Sequence, residues 1–446
     1  MFHRFVLLLV AIFLTNQAAY SNDGLLVGIA TTDITPAVED QIPLGGYGSL
    51  ERRNYPFRLF SRKPYLRSFR IAEGTLDPIR AKAMYIKSSD KKLLFVGLDV
   101  IGVTQGMHKD LIGKLASEGF TSSEVIVSGT HTHSGPGALS SNPLWEVIGM
   151  DRFQRAYYDK FLQQVVDTVK AAMSNAELAD LHTLSFDTEN LQNNRRGSNR
   201  PLYPRANLLL AKSLSGAWMG GLVNYAVHGT SLDDTNHKFS SDVPGAIETS
   251  LTALLTEKNG YVRTLSAADF IFINGAEGDV SPKLDYHELG IEFAKQASAH
   301  WDETTPMKQS NWTVGQQEIY LGKPRINISK CVKNEWVPKK LNLGLKKFIS
   351  STTLISQVHF GHLWFLTWPG EPTTELGTRL MTSANESGAE DAWVFGLSND
   401  HLSYFTTEGE FETGGYEACS NFFGATGGTQ VIDAHKELSR TMLKKN

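Results

Sequence analysis

The chain has 446 residues, of which 41% are hydrophobic, 10% aromatic and 20% charged, with a formal net charge of −4. That composition excludes a disordered, collagen-like or coiled-coil chain, and its mild acidity argues against nucleic-acid binding. Cys331 and Cys419 lack the spacing of a thiolate metal site; they could form one disulfide in an exported protein, with two unpaired thiols as the alternative.

In chain order, the first element is a targeting segment. Arg4 supplies a basic start, Phe5–Leu14 is an apolar run too short to span a bilayer, and Ala19-Tyr20-Ser21 suits a cleavage site. Residues 1–21 are expected to be a signal peptide, giving a secreted or periplasmic product without a transmembrane helix. Asp33-Ile34-Thr35-Pro36 reads as a strand end, ahead of the Gly-rich LGGYG at 44–48. Residues 52–70 then alternate Arg and Lys with aromatics. They read as a solvated insertion, with peripheral contact to a membrane surface as the functional alternative.

Strands are expected at 80–87, 92–100, 222–227, 270–274, 356–368 (a hairpin about Gly361) and 392–397. Helical spacing covers 106–118, 151–174, 243–257, 286–299, 373–384 and 429–444. The elements alternate with no Pro/Ser-rich linker. We therefore expect one large α/β catalytic domain over 22–446, with central β-sheets flanked by helices.

The polar residues fall at one kind of place. VIVSGT runs into His131-Thr132-His133, LVNYAV into His228, and FIFIN into the loop carrying Asp279 and Ser281. LWFLTW runs into Pro369-Gly370-Glu371, and AWVFGL into Ser398-Asn399-Asp400-His401, shortly before Tyr404. Each has a dull reading as a turn or capping residue. Together, histidines and a carboxylate at the carboxyl ends of strands are the ligand set of a catalytic zinc site.

At these motifs the sequence resembles the neutral/alkaline (non-lysosomal) ceramidases. The likeness rests on ATTDITP (30–36), GTHTHSGPG (129–137), NNR (193–195), NYAVHGTS (224–231), GDVSP (278–282), PGEPTTELG (369–377) and SYFTTEGEFETGGYEA (403–418). It implies one Zn²⁺ held by His131, His228, Glu371 and Tyr404, with His133 beside it as acid/base. It further implies an essential Ser281, as nucleophile or positioning group, a substrate-contacting Arg195 and a substrate-contacting Tyr416. The implied reaction is hydrolysis of the ceramide amide to a sphingoid base and a fatty acid. Family members generally carry a C-terminal immunoglobulin-like domain, which these residues are expected to lack. The alternatives are a zinc amidase for other N-acyl substrates and an inactive secreted lipid-binding protein on the same scaffold. Residues 139–150 and Phe422-Phe423 are candidates to line the cleft.

Overall fold

The computed structural model describes residues 24–54, 68–260, 269–307, 312–331 and 342–444. The expected signal peptide and most of the basic-aromatic segment lie outside them. Strands β1 (Leu25–Asp33), β2 (Arg80–Lys87) and β3 (Lys92–Leu98) form an antiparallel meander. Helix α1 (Gln105–Lys114) then crosses over to β4 (Val125–Gly129), parallel to β3, and helix α2 (Arg155–Ser174) follows. The order repeats. Strands β5 (Glu177–Asp187), β7 (Arg205–Ser213) and β8 (Trp218–Tyr225), with the short β6 (Gln192–Asn194) after β5, form a second meander. Helix α3 (Asp242–Asn259) leads to β9 (Phe270–Asn274), parallel to β8. The short β10 (Val280–Pro282) and helix α4 (Tyr286–Ala299) come next.

The large sheet therefore runs β4-β3-β2-β1-β5-β7-β8-β9. Its halves are joined only where Leu25–Val27 pair with Glu177–Ala179, and there it bends until β9 packs on β2, β3 and β4. Gly97 on β3 makes the close approach possible, since a Cβ there would lie 2.5 Å from Ile271 Cγ2.

Alternation along the strands builds the layers. On β2, Ala81, Ala83 and Tyr85 pack towards α1 and α2, whereas Met84 and Ile86 face the inner core. On β9, Phe270 and Phe272 pack towards α3 and α4, and Ile271 and Ile273 face inward. A strand buried on both sides reads as an unbroken apolar run, which is why FIFIN was legible. A four-stranded sheet of Thr313–Tyr320, Thr352–Phe360, Leu363–Thr367 and Asp391–Phe395 closes the inner core with Val358, Phe360, Phe365, Trp393 and Phe395. Helices Thr374–Glu386 and Gly427–Leu443 cover its other face.

The α/β expectation stands, with differences in detail. The expected 151–174 helix starts at Arg155, because Asp151 adopts φ +59°. Strands β1, β5 and β7 were not foreseen over their length; β5 has exposed residues scattered along it, which blurs its period. The site-bearing loops do meet, but not by the rule for parallel sheets. Five antiparallel ladders separate β3 from β8, so β4 and β9 run in opposite senses, and the bend is what brings their ends together.

Beneath those loops Lys82 is fully buried, 2.6 Å from Asp99 and 2.7 Å from Glu248. Removing one member of such a cluster strands the others in a low-dielectric core. Lys82→Met should lower unfolding stability by about 3–5 kcal/mol, measured by urea denaturation.

Candidate metal centre

His131 has left-handed backbone geometry, φ +67°, which is strained for a residue other than glycine. The strand end just before α1 holds it there. Its N–H donates to Val100 O at 3.0 Å, and its ring Nδ1–H donates to Ile101 O at 2.6 Å. His228 is held alike, its ring Nδ1–H donating to Val280 O at 3.0 Å. Each of these carbonyls takes the proton on Nδ1, which turns the Nε2 atom of the ring towards the centre.

Those Nε2 atoms face a carboxylate. Glu371 Oε2 lies 3.2 Å from His131 Nε2 and 3.3 Å from His228 Nε2, and it accepts no hydrogen bond among the described residues. Burial pushes His228 down to about 4, so its ring is neutral at pH 7. Burial acts to raise the Glu371 carboxyl, yet His131 and the hydrogen bonds around it hold it well below the usual carboxylate range. Two imidazole nitrogens converging on one buried carboxylate oxygen are a group that a divalent cation can bridge. The donor set fits zinc: imidazoles, one carboxylate and a phenol close by.

The phenol is Tyr404. Glu371–Pro372 pairs in parallel with Tyr404–Phe405, which sets the two side chains next to each other. Tyr404 donates to His228 Nε2 at 3.1 Å and accepts from Arg195 Nη2 at 3.0 Å. Arg195 also donates to Gly278 O at 2.7 Å and to Glu417 Oε1 at 2.8 Å. Arg196 turns away to Glu417 Oε2 and to the carbonyls of Glu410 and Gly414, so of the two arginines Arg195 reaches the centre.

His133 comes close as well, its Nε2 3.3 Å from His131 Nε2, while its buried Nδ1 has no partner among the described residues. Gly46 (φ +121°) packs on it, where a Cβ would meet His133 Cα at 2.7 Å. Tyr416 lies beyond Tyr404, with ring centroids 5.3 Å apart, and opens to solvent. Ser281 sits on β10 opposite Asn193 and is not among the groups lining the cleft, although its neighbour Val280 orients His228.

Two further residues join the site. His401 Nε2 lies 3.1 Å from Glu371 Oε1, and its ring stacks on Trp145. The sequence places His401 on a converging loop, whereas the resemblance gives a role there to Tyr404 alone. Glu277 is fully buried with both carboxyl oxygens unpartnered among the described residues; burial, then Glu371, pushes it well above the usual carboxylate range. An acid inside GAEGDVSP gave no hint of its burial.

His131, His133, Glu371 and Tyr404 line a cavity of about 100 Å³ walled by Trp145, Ile148, Met150 and Phe422, with His228 behind it. The expectation for 139–150 thus holds for its second half, whereas Phe423 stacks on Phe405 in the core. A larger cavity, about 580 Å³, lies on the other side of Trp145 and His401. Near the centre, the Cys331–Cys419 disulfide ties the helix beginning at Tyr416 to Ile328–Cys331.

Residues 25–311 match the family described as neutral/alkaline non-lysosomal ceramidase, N-terminal. The chain belongs to this family. It is 22% identical over 272 residues to a neutral ceramidase of Pseudomonas aeruginosa, a match covering 58% of this chain and 37% of that one. A neutral ceramidase of Mycobacterium tuberculosis is 20% identical over 516 residues, covering 94% of this chain and 77% of its own. The match to the Pseudomonas sequence thus spans little more than a third of that protein's length. The solved structure of the Pseudomonas aeruginosa neutral ceramidase superposes with a TM-score of 0.77 at 18% identity, over 95% of this chain and 75% of that chain. The fold is therefore that of the family.

Zinc supplied at a hundredfold over its dissociation constant should stabilise the protein by about 2.7 kcal/mol in urea unfolding, and His131→Ala should lose that gain.

Proposed function

We propose that the chain is a zinc-dependent amide hydrolase that cleaves ceramide to a sphingoid base and a free fatty acid. The observation that carries this reading is the convergence of His131 Nε2 and His228 Nε2 on Glu371 Oε2, at 3.2 and 3.3 Å. These residues, with Tyr404, would hold the ion. Zinc there would supply Lewis acidity, lowering the pKa of a water and polarising the amide carbonyl.

The chain's own groups do the rest. His133, whose Nε2 lies 3.3 Å from His131 Nε2, takes the proton of the attacking water and returns it to the departing amine nitrogen. Arg195, the cation beside Tyr404 and Tyr416, holds the substrate's oxygen as charge develops on it, and Tyr416 donates a hydrogen bond from the mouth. Ser281 acts by position, not as the nucleophile, since its loop supplies the carbonyl that fixes the His228 tautomer. Export is part of the same proposal, because the Cys331–Cys419 disulfide suits an oxidising compartment. Among the described residues no helix is long and apolar enough to cross a membrane.

A second reading, hydrolysis of smaller N-acyl amides, is favoured by the cavity of about 100 Å³. Pockets that engulf whole ligands run to about 300–1,000 Å³. Purified protein should contain about one zinc per chain and cleave a fluorescent long-chain ceramide, with both signals lost in His131→Ala. Zinc retained with short N-acyl amides cleaved and ceramide untouched would select the second reading. A zinc-free, inert protein would overturn both.

A further inference from the structure

The two metal-facing histidines hang from different loops, and something must fix their spacing. We propose that Asn274, the last residue of β9, is a positioning residue that sets the separation of His131 and His228; this rests on the metal-centre reading above. Its side chain is fully buried. Its Nδ2 donates to Val227 O at 2.9 Å and to Thr130 O at 3.3 Å, and its Oδ1 accepts from Val227 N and from Gly275 N, each at 3.1 Å. Two donated and two accepted bonds use the full capacity of a primary amide.

The location of those bonds is what matters. Thr130 O belongs to the peptide that joins Thr130 to His131, and Val227 O to the peptide that joins Val227 to His228. The two N–H bonds of one rigid amide therefore grip the two peptide planes from which the histidines extend. On the far side the loops are tied again, His133 N–H donating to Gly229 O at 3.0 Å. Each histidine is thus bracketed by a cross-link just before it and another within two residues after it.

Asn274 is itself anchored. Its carbonyl accepts from Gly396 N at 2.9 Å, next to the four-stranded sheet, and β9 pairs with β8 up to Tyr225↔Asn274. Ligand distances at a metal site tolerate only about ±0.2 Å, so a slackened clamp should be felt first in metal affinity.

The test uses the full chain and reads zinc affinity by competition with a chromogenic chelator, alongside kcat, KM and the unfolding midpoint of the metal-free form. Asn274→Ala should weaken zinc binding 10- to 100-fold, as changes one step outside a metal's ligands do, and lower kcat more than it raises KM. Gln357→Ala is the control: an equally buried amide, bonded to His435 and Ser439 away from the site. It should lower the metal-free midpoint and leave zinc affinity alone. If Asn274→Ala does not fold, Asn274→Ser replaces it in the same assays, since a hydroxyl cannot bridge both peptides. Unchanged zinc affinity and kcat in a folded Asn274 variant would overturn the clamp while the wild type still loads and turns over. Wild-type protein that binds no zinc would instead overturn the metal reading, and the clamp with it.

Discussion

Two backbone carbonyls decide the chemistry of this molecule. Ile101 O and Val280 O each take the Nδ1 proton of a histidine, and so turn two Nε2 atoms onto the same carboxylate oxygen. Buried acceptors facing one another destabilise a fold unless a cation joins them. The surrounding structure over-determines the arrangement. His131 is kept in its strained conformation by bonds from both its backbone and its ring, and Glu371 is fixed by pairing with the Tyr404 strand. Strain concentrated on one ligand is the mark of a site held in place by its scaffold.

The scaffold is two copies of one pattern, but they contribute unequally. In the first half His131 follows β4, the strand after the crossover helix; in the second half His228 follows β8, the strand before it. β9 ends in Asn274, and the loop after it supplies the Gly278 carbonyl that accepts from Arg195 and the Val280 carbonyl that orients His228. Bending the sheet at the short β1–β5 ladder places that loop between the two histidines. A flat sheet of the same strand order would keep β4 and β9 at opposite edges.

Much of this was legible because local chemistry wrote it. The apolar runs before His131, His228 and Glu371 are real strands or strand ends, and the turns after them converge as expected. The bend was not legible, since it depends on an absent side chain at Gly97 meeting Ile271 from a distant strand. The role of His401 escaped for a related reason: it bonds Glu371 Oε1, a contact between residues 30 positions apart that no spacing rule encodes. The GDVSP motif was legible, but what its backbone does was not: Val280 O orients His228 across 52 positions of sequence.

The distribution of charge completes the argument. Glu371 has two unlike sides: Oε1 accepts from His401 Nε2 at 3.1 Å, and Oε2 is left for the histidine pocket. Glu277 lies close enough to raise the electrostatic cost of a second negative charge, and burial, then Glu371, pushes its carboxyl well above the usual carboxylate range. Burial likewise holds the Tyr404 phenol well above its usual range, so it enters the pocket as a neutral group. Imidazoles, a phenol and one carboxylate therefore meet in the pocket. A donor set with one carboxylate would leave a bound divalent ion with net positive charge, which is the condition for polarising a carbonyl. A second ionised carboxylate would bind such an ion more tightly and blunt it, and the burial of Glu277 opposes that second charge.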